Sequence, residues 1–206
     1  MRRSPAVFAS IAILALGVAS AQAQTARRYS LQASGLYVGM FGSAFDGVKD
    51  GVGLEVQGRY NPSAFSIGVG VQGSAHGMDF QGASQTVNFA GVFVEPRYVI
   101  DVGSPSAAPY AAARIAYLEQ TADVPISGTT VHLSAGGTQL NLGGGVLLRL
   151  SPTINLDLGA TFGAIHFADV KADVSGLGSQ TFDTGSAGNG QNLVLRVGLA
   201  VGLGKR

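Results

Sequence analysis

The final stretch of the chain, Gln191 to Gly204, alternates without a break. Leu193, Leu195, Val197, Leu199, Val201 and Leu203 hold every second position, with Val194, Arg196, Gly198, Ala200 and Gly202 between them. A period of two belongs to a strand, not to a helix. The two faces are inverted relative to a soluble sheet: the continuous face is aliphatic, and the face that must be enclosed carries small residues and an arginine. The aliphatic face therefore meets lipid. Inside hydrocarbon a lone strand would leave its N–H and C=O groups unpaired, so the sheet has to close on itself. A soluble sandwich or barrel would need a second layer to cover these faces.

The N-terminus sets the route to that membrane. MRRSPAVFASIAILALGVASAQAQ places two arginines before an apolar run, then the small-residue pattern Ala21-Gln22-Ala23. This predicts a signal peptide over residues 1–23, too short for a spanning helix, with the barrel domain over residues 24–206. Hydrophobic residues make up 46% of the chain and charged residues only 12%, with 31 glycines. That apolar content is spread as alternation and not gathered into one span. There is no cysteine, which excludes disulfides, thiolate metal sites and a lipidated N-terminal cysteine. With 13 basic and 12 acidic residues nothing points to a nucleic-acid partner, and no cofactor is expected.

Taken in order, the alternation predicts strands over Tyr29–Phe41, Gly51–Tyr60, Ala64–Ala75, Thr86–Ile100, Ala108–Gln120, Thr138–Leu150 and Thr153–Phe167, and the last strand makes eight. In the first, the pattern slips between Ala33 and Leu36, which predicts a β-bulge. In the fourth, Pro96 withholds a ladder donor and weakens the pairing there. Connections alternate between long (FGSAFDGVKD, HGMDFQGASQ, TADVPISGTTVHLSAGG, Ala168 to Gly190) and short (NPS, DVGSPSA, SP). Short turns at the periplasmic side and long loops outside are the asymmetry of an outer-membrane barrel. Ten strands would result if VPISGTTVHLS or VKADVSGLGSQTF added a spanning hairpin, but their polarity favours protrusions. The expected fold is all-β: an eight-stranded antiparallel transmembrane β-barrel, an up-and-down meander.

With this pattern, the strand-opening PYAAARIAY and the alternating last strand, the chain resembles the outer-membrane β-barrel domain family of small eight-stranded proteins, which includes the OmpA transmembrane domain, OmpX and the opacity-type proteins. The resemblance implies a bacterial outer-membrane protein, reached through the periplasm, with a non-enzymatic envelope-structural or surface-interaction role. Its implied partners are outer-membrane lipid and lipopolysaccharide, the barrel assembly machinery, and a surface ligand or host partner. The alternatives are a narrow channel for small solutes, and a lipid-modifying enzyme.

Two groups of residues are the candidates. Strand parity turns Glu55, Arg59, Glu95, Arg97, Arg114, Arg149, Asp157 and Arg196 inward, where charges must be paired or hydrated. Folding about Ser151-Pro152 predicts an Arg149–Asp157 pair. Either the network plugs the lumen, or it gates an anion-favouring channel for which the inward glycines leave room for water. Outside, Asp46, Asp50, Asp79, Asp123, Asp169, Asp173 and Asp183 outnumber Lys49 and Lys171 and give acidic loops. His76, His132 and His166 are expected at the external rim or in loops without ligand spacing, so no metal site is expected. The triplet His132-Leu133-Ser134 resembles the His-x-Ser of barrel-type lipid A deacylases but lacks a following glutamate, and no catalytic residue is assigned. Tyr60, Phe65 and Tyr98 are expected to girdle the periplasmic end, with Tyr117 near the outer one.

Overall fold

A computed structural model describes residues 27–80, 83–126, 129–174 and 178–204; the expected signal segment, residues 1–23, lies outside them. The strands are β1 (Tyr29–Phe41), β2 (Val48–Tyr60), β3 (Phe65–Phe80), β4 (Ala83–Val99), β5 (Ala107–Ile126), β6 (Thr129–Arg149), β7 (Ile154–Val174), β8 (Gly178–Asp183) and β9 (Asn189–Leu203). From β1 to β7 each strand pairs antiparallel with the next, and β9 closes the ring by pairing with both β7 and β1. The barrel therefore has eight staves. The short β8 stands outside the ring against the far end of β7.

Alternation sorts the side chains as a transmembrane barrel demands. Leu54, Ile115, Leu142, Val197 and their outward neighbours are exposed to lipid, Leu54 by 71%. Inward positions of the same strands are buried. At the end carrying the short turns, Tyr29 sits opposite Tyr60 with ring centroids 5.3 Å apart, and Phe65 sits opposite Tyr98. This is the expected girdle with Tyr29 added, amphipathic rings at headgroup depth.

Three expectations meet the structure differently. Pro96 acts as expected: the β4–β5 register passes from Val94↔Ile115 to Arg97↔Ala112, and the rungs between are missing. The bulge expected in β1 is absent, and its register runs unbroken against β2 and β9. Parity never slips there; the inward chemistry changes, from Ser30, Gln32 and Ser34 to Leu36, Val38 and Met40. Bulges occur instead at Val48/Gly51 and Gly136/Gly137.

The strands also outrun their predicted ends. Most of the segments read as long loops continue the wall: β3 and β4 reach residues 80 and 83, and β5, β6 and β7 run on through residues 126, 129 and 174. Alternation continues through these extensions, shifted by one residue in β7 at the Gly136/Gly137 bulge, but the outward positions become polar once the wall leaves the lipid. Neither candidate segment for a ten-stranded barrel inserts a further stave among the described residues.

Candidate functional site

The turn-end half of the lumen is filled by one hydrogen-bonded ionic network. At its centre Glu95 of β4, with no exposed surface, accepts from four arginines. Its Oε1 takes Arg59 Nη2 at 2.7 Å and Arg97 Nη2 at 2.9 Å. Its Oε2 takes Arg114 Nη2 at 2.6 Å and Arg196 Nη1 at 3.0 Å. Glu55 of β2 accepts from Arg114 at 2.7 Å and Arg196 at 3.1 Å. Asp157 of β7 accepts from Gln32 at 2.7 Å, Tyr110 at 2.6 Å and Arg97 at 3.0 Å. β9 and β4 face each other across the eight-membered ring, so the Arg196–Glu95 contact spans the lumen. Arg97 also stacks on Tyr110, 3.9 Å from the ring centroid, and Arg114 on Phe93 at 3.8 Å.

Burying charge in this way is tolerable only because each carboxylate is held by several donors; taking one partner from such a site typically costs about 3–5 kcal/mol. Seven of the eight predicted inward charges are brought together. Arg149 is half-buried near the turn end, opposite Asn155 in register. The expected Arg149–Asp157 pair is replaced by ion pairs from Asp157 to Arg97 at 3.0 Å and Arg196 at 3.6 Å. The diagonal rule ranks neighbours along the wall, whereas in a narrow barrel the nearer partners lie across it. Gln32, Gln57, Gln72 and Ser66 also join the network. Their inward parity was the available signal.

Apolar clusters adjoin this network on both sides, with Ser30, Ser66 and Asn155 completing the turn end. Toward the turns lie Val99, Ala108, Tyr110, Ala112 and Leu147. Toward the loops lie Leu36, Val38, Met40, Phe89, Phe93, Leu118, Ile165 and Phe167, roofed by Phe45 from the 3-10 turn Ser43–Phe45. Among the described residues the network is bordered by lumen cavities of about 20 Å³ and 10 Å³, each room for about one water. The inward glycines do not open a water path, because neighbouring side chains occupy the space. A Cβ on Gly68 would overlap Gln57 Oε1 and lie 2.8 Å from Arg59 Nη2, and one on Gly159 would lie only 2.5 Å from the Tyr110 hydroxyl.

Above the lipid, β5 to β8 form a sheet with a polar outer face. Glu119, Gly136, Asp169 and Asp183 stand in one row across the four strands, and Asp123, His132 and Asp173 in another. Lys171 lies between the rows. His132 Nδ1 and Asp123 Oδ1 are 2.7 Å apart. That contact, with the nearby charges of Asp123, Asp173 and Glu119, raises the imidazole above its ordinary pKa of 6.5. Ser134 shares the outward face but makes no hydrogen bond to His132. Elsewhere at the rim Asp79 pairs with Lys49 at 2.7 Å, Asp50 accepts from the Tyr37 hydroxyl, and Asp46 follows the 3-10 turn.

The histidines are dispersed. His76 was expected at the exposed rim but is buried on the inward face, its Nδ1 2.9 Å from the Lys49 carbonyl oxygen and its Nε2 3.0 Å from Ser74 Oγ. His166 is exposed on the outer wall beside Asn189, 2.8 Å away. Among the described residues no three His, Asp or Glu side chains are grouped to hold a metal.

A family model described as the outer membrane protein beta-barrel domain matches residues 8–202. The fold is similar to that of Neisserial surface protein A, with TM-score 0.57 and 16% identity over 85% of this chain and 97% of that one. A major outer membrane protein from Thermus thermophilus is similar with TM-score 0.58 and 16% identity, covering 85% of this chain and 98% of that one. OprG from Pseudomonas aeruginosa is similar with TM-score 0.55 and 13% identity, covering 87% and 97%. At these identities the likeness is one of fold. A search of curated protein sequences returns no match.

Proposed function

Because the chain belongs to the outer membrane protein β-barrel domain family, we propose that it is a non-enzymatic anchor of the outer membrane whose working surface is the sheet that β5 to β8 raise above the lipid. The observation that carries this reading is the filled lumen: an ionic network with apolar side chains packed on its loop side and polar and apolar ones on its turn side. A barrel so occupied serves as a mount. What it presents is a face with Glu119, Asp123, Asp169, Asp173 and Asp183 against Lys171 and His132, suited to cationic groups on a partner surface or to cation-bridged lipopolysaccharide. Catalysis is not part of this reading: His132 is held by Asp123 in open solvent and makes no hydrogen bond to Ser134.

The test separates mount from surface. Residues 121–134 and 170–187 are replaced by short glycine-serine turns, and the protein is displayed on cells. The trimmed barrel is expected to insert and remain heat-modifiable, while cell adhesion to a polylysine-coated surface falls to that of cells lacking the protein. Adhesion unchanged by trimming would refute the assignment of the surface.

A further inference from the structure

Asn192 stands on the inward face of β9, opposite Met40 on β1 and Gly163 on β7. It is 2% exposed, and its Oδ1 is buried without a hydrogen-bond partner. A buried amide oxygen in that state bears its desolvation cost with nothing returned, and such atoms are rare in folded proteins. It lines the 20 Å³ lumen cavity with Leu36, Val38, Met40, Phe89 and Leu118, and with Gln72 and Ser74, whose polar atoms are engaged by Arg114, Gln139 and His76. This is a mostly apolar chamber with one unanswered acceptor.

On the loop side of Phe89, which lines that chamber, sits Phe45, carried on a segment between two glycines. Phe45 packs edge-on against Phe89 and Phe167, with centroids 5.9 and 6.0 Å away. Beneath it Gly190 leaves the seat: a Cβ there would overlap the Phe45 ring. The segment is flanked by Gly42 and Gly47, with φ of 95° and 82°, a backbone region glycine enters freely and other residues rarely do. Its tether to the neighbouring strand is a long hydrogen bond from Ser43 Oγ to the Asn189 carbonyl oxygen, 3.3 Å. Below, the ionic network stops the passage, so withdrawal of Phe45 opens a blind chamber and not a channel.

We propose that the loop-end lumen is a binding site for a compact apolar molecule carrying one hydroxyl. Its body takes the place of the Phe45 ring between Phe89 and Phe167, and its hydroxyl donates to Asn192 Oδ1. Phe45 is the stopper that leaves when the ligand enters. This site is independent of the outer acidic face.

Phenol supplies a ring of the right size with one donor, and anisole the same ring without it. With the protein in lipid nanodiscs and its methionine methyls labelled with carbon-13, the Met40 signal reports on the chamber. Phenol is expected to shift it saturably. The Phe45→Ala variant, with its stopper removed, is expected to bind roughly tenfold more tightly, as when a minor open state becomes the main one. Anisole binds more weakly than phenol, and Asn192→Leu removes that difference. A Ser43→Cys/Asn189→Cys double variant binds when reduced and not when its disulfide holds the segment down, which keeps the test within one folded protein. A Met40 shift that grows linearly with phenol and is equal in the oxidised and reduced double variant would overturn the site. An unchanged phenol-to-anisole ratio in Asn192→Leu would overturn the role of Asn192.

Discussion

Glu95 shows what one inward residue does in a barrel this narrow. With four guanidinium groups against its two oxygens and no exposed surface, it is the counter-charge that lets β2, β4, β5 and β9 project arginines into one space. Glu95→Gln keeps the shape and removes the charge. The variant is expected to lose about 3–5 kcal/mol, the cost of leaving buried charges uncompensated, read as a lower urea midpoint for unfolding from lipid. A midpoint within experimental scatter of the wild type would show that the network is solvated. Which strand faces enter the lumen was legible from parity, Glu55, Arg114 and Arg196 included. Which of them pair was not, because alternation gives a side chain's face and not its reach across the ring. The Arg149–Asp157 expectation failed on that point. Phe45 was equally hidden, one aromatic in a loop with no period to flag it.

At the scale of elements, the strand order and the turn positions followed from the period of two, and the weakened rung at Pro96 from its missing donor. The strand ends did not. Thr121 and Asp123 continue the outward positions of β5 beyond its predicted end at Gln120, but polar residues there read as loop, when a strand that has left lipid needs polar outward residues to face water. In that extension His132 joins β6 to β5 through Asp123, with Asp173 opposite on β7 and Glu119 nearby. Its folded pKa is raised above the ordinary 6.5. The stabilisation it gives is therefore fully present below the unfolded value and is lost as pH rises through the folded one. Amide protection factors for residues 121–124 and 131–134 are expected to be higher at pH 6 than at pH 8.5, with the barrel staves unchanged. His132→Gln is expected to abolish the difference. Equal protection at both pH values in the wild type would show that this contact does not hold the hairpin.

For the molecule as a whole, the chain divides its labour by height. Aromatic rings set its depth in the lipid, buried ions hold the lower lumen, apolar side chains adjoin them on both sides, and a polar sheet rises on the outer side. A lumen filled in this way is expected to pass nothing. The test is single-channel conductance in a planar bilayer, with insertion of the same refolded preparation shown by its heat-modifiable mobility. The wild-type barrel is expected to be silent, and Phe45→Ala to be silent too, because its opened chamber ends on the network around Glu95. Discrete, reproducible conductance steps from the wild-type protein would contradict the account and make the barrel a channel.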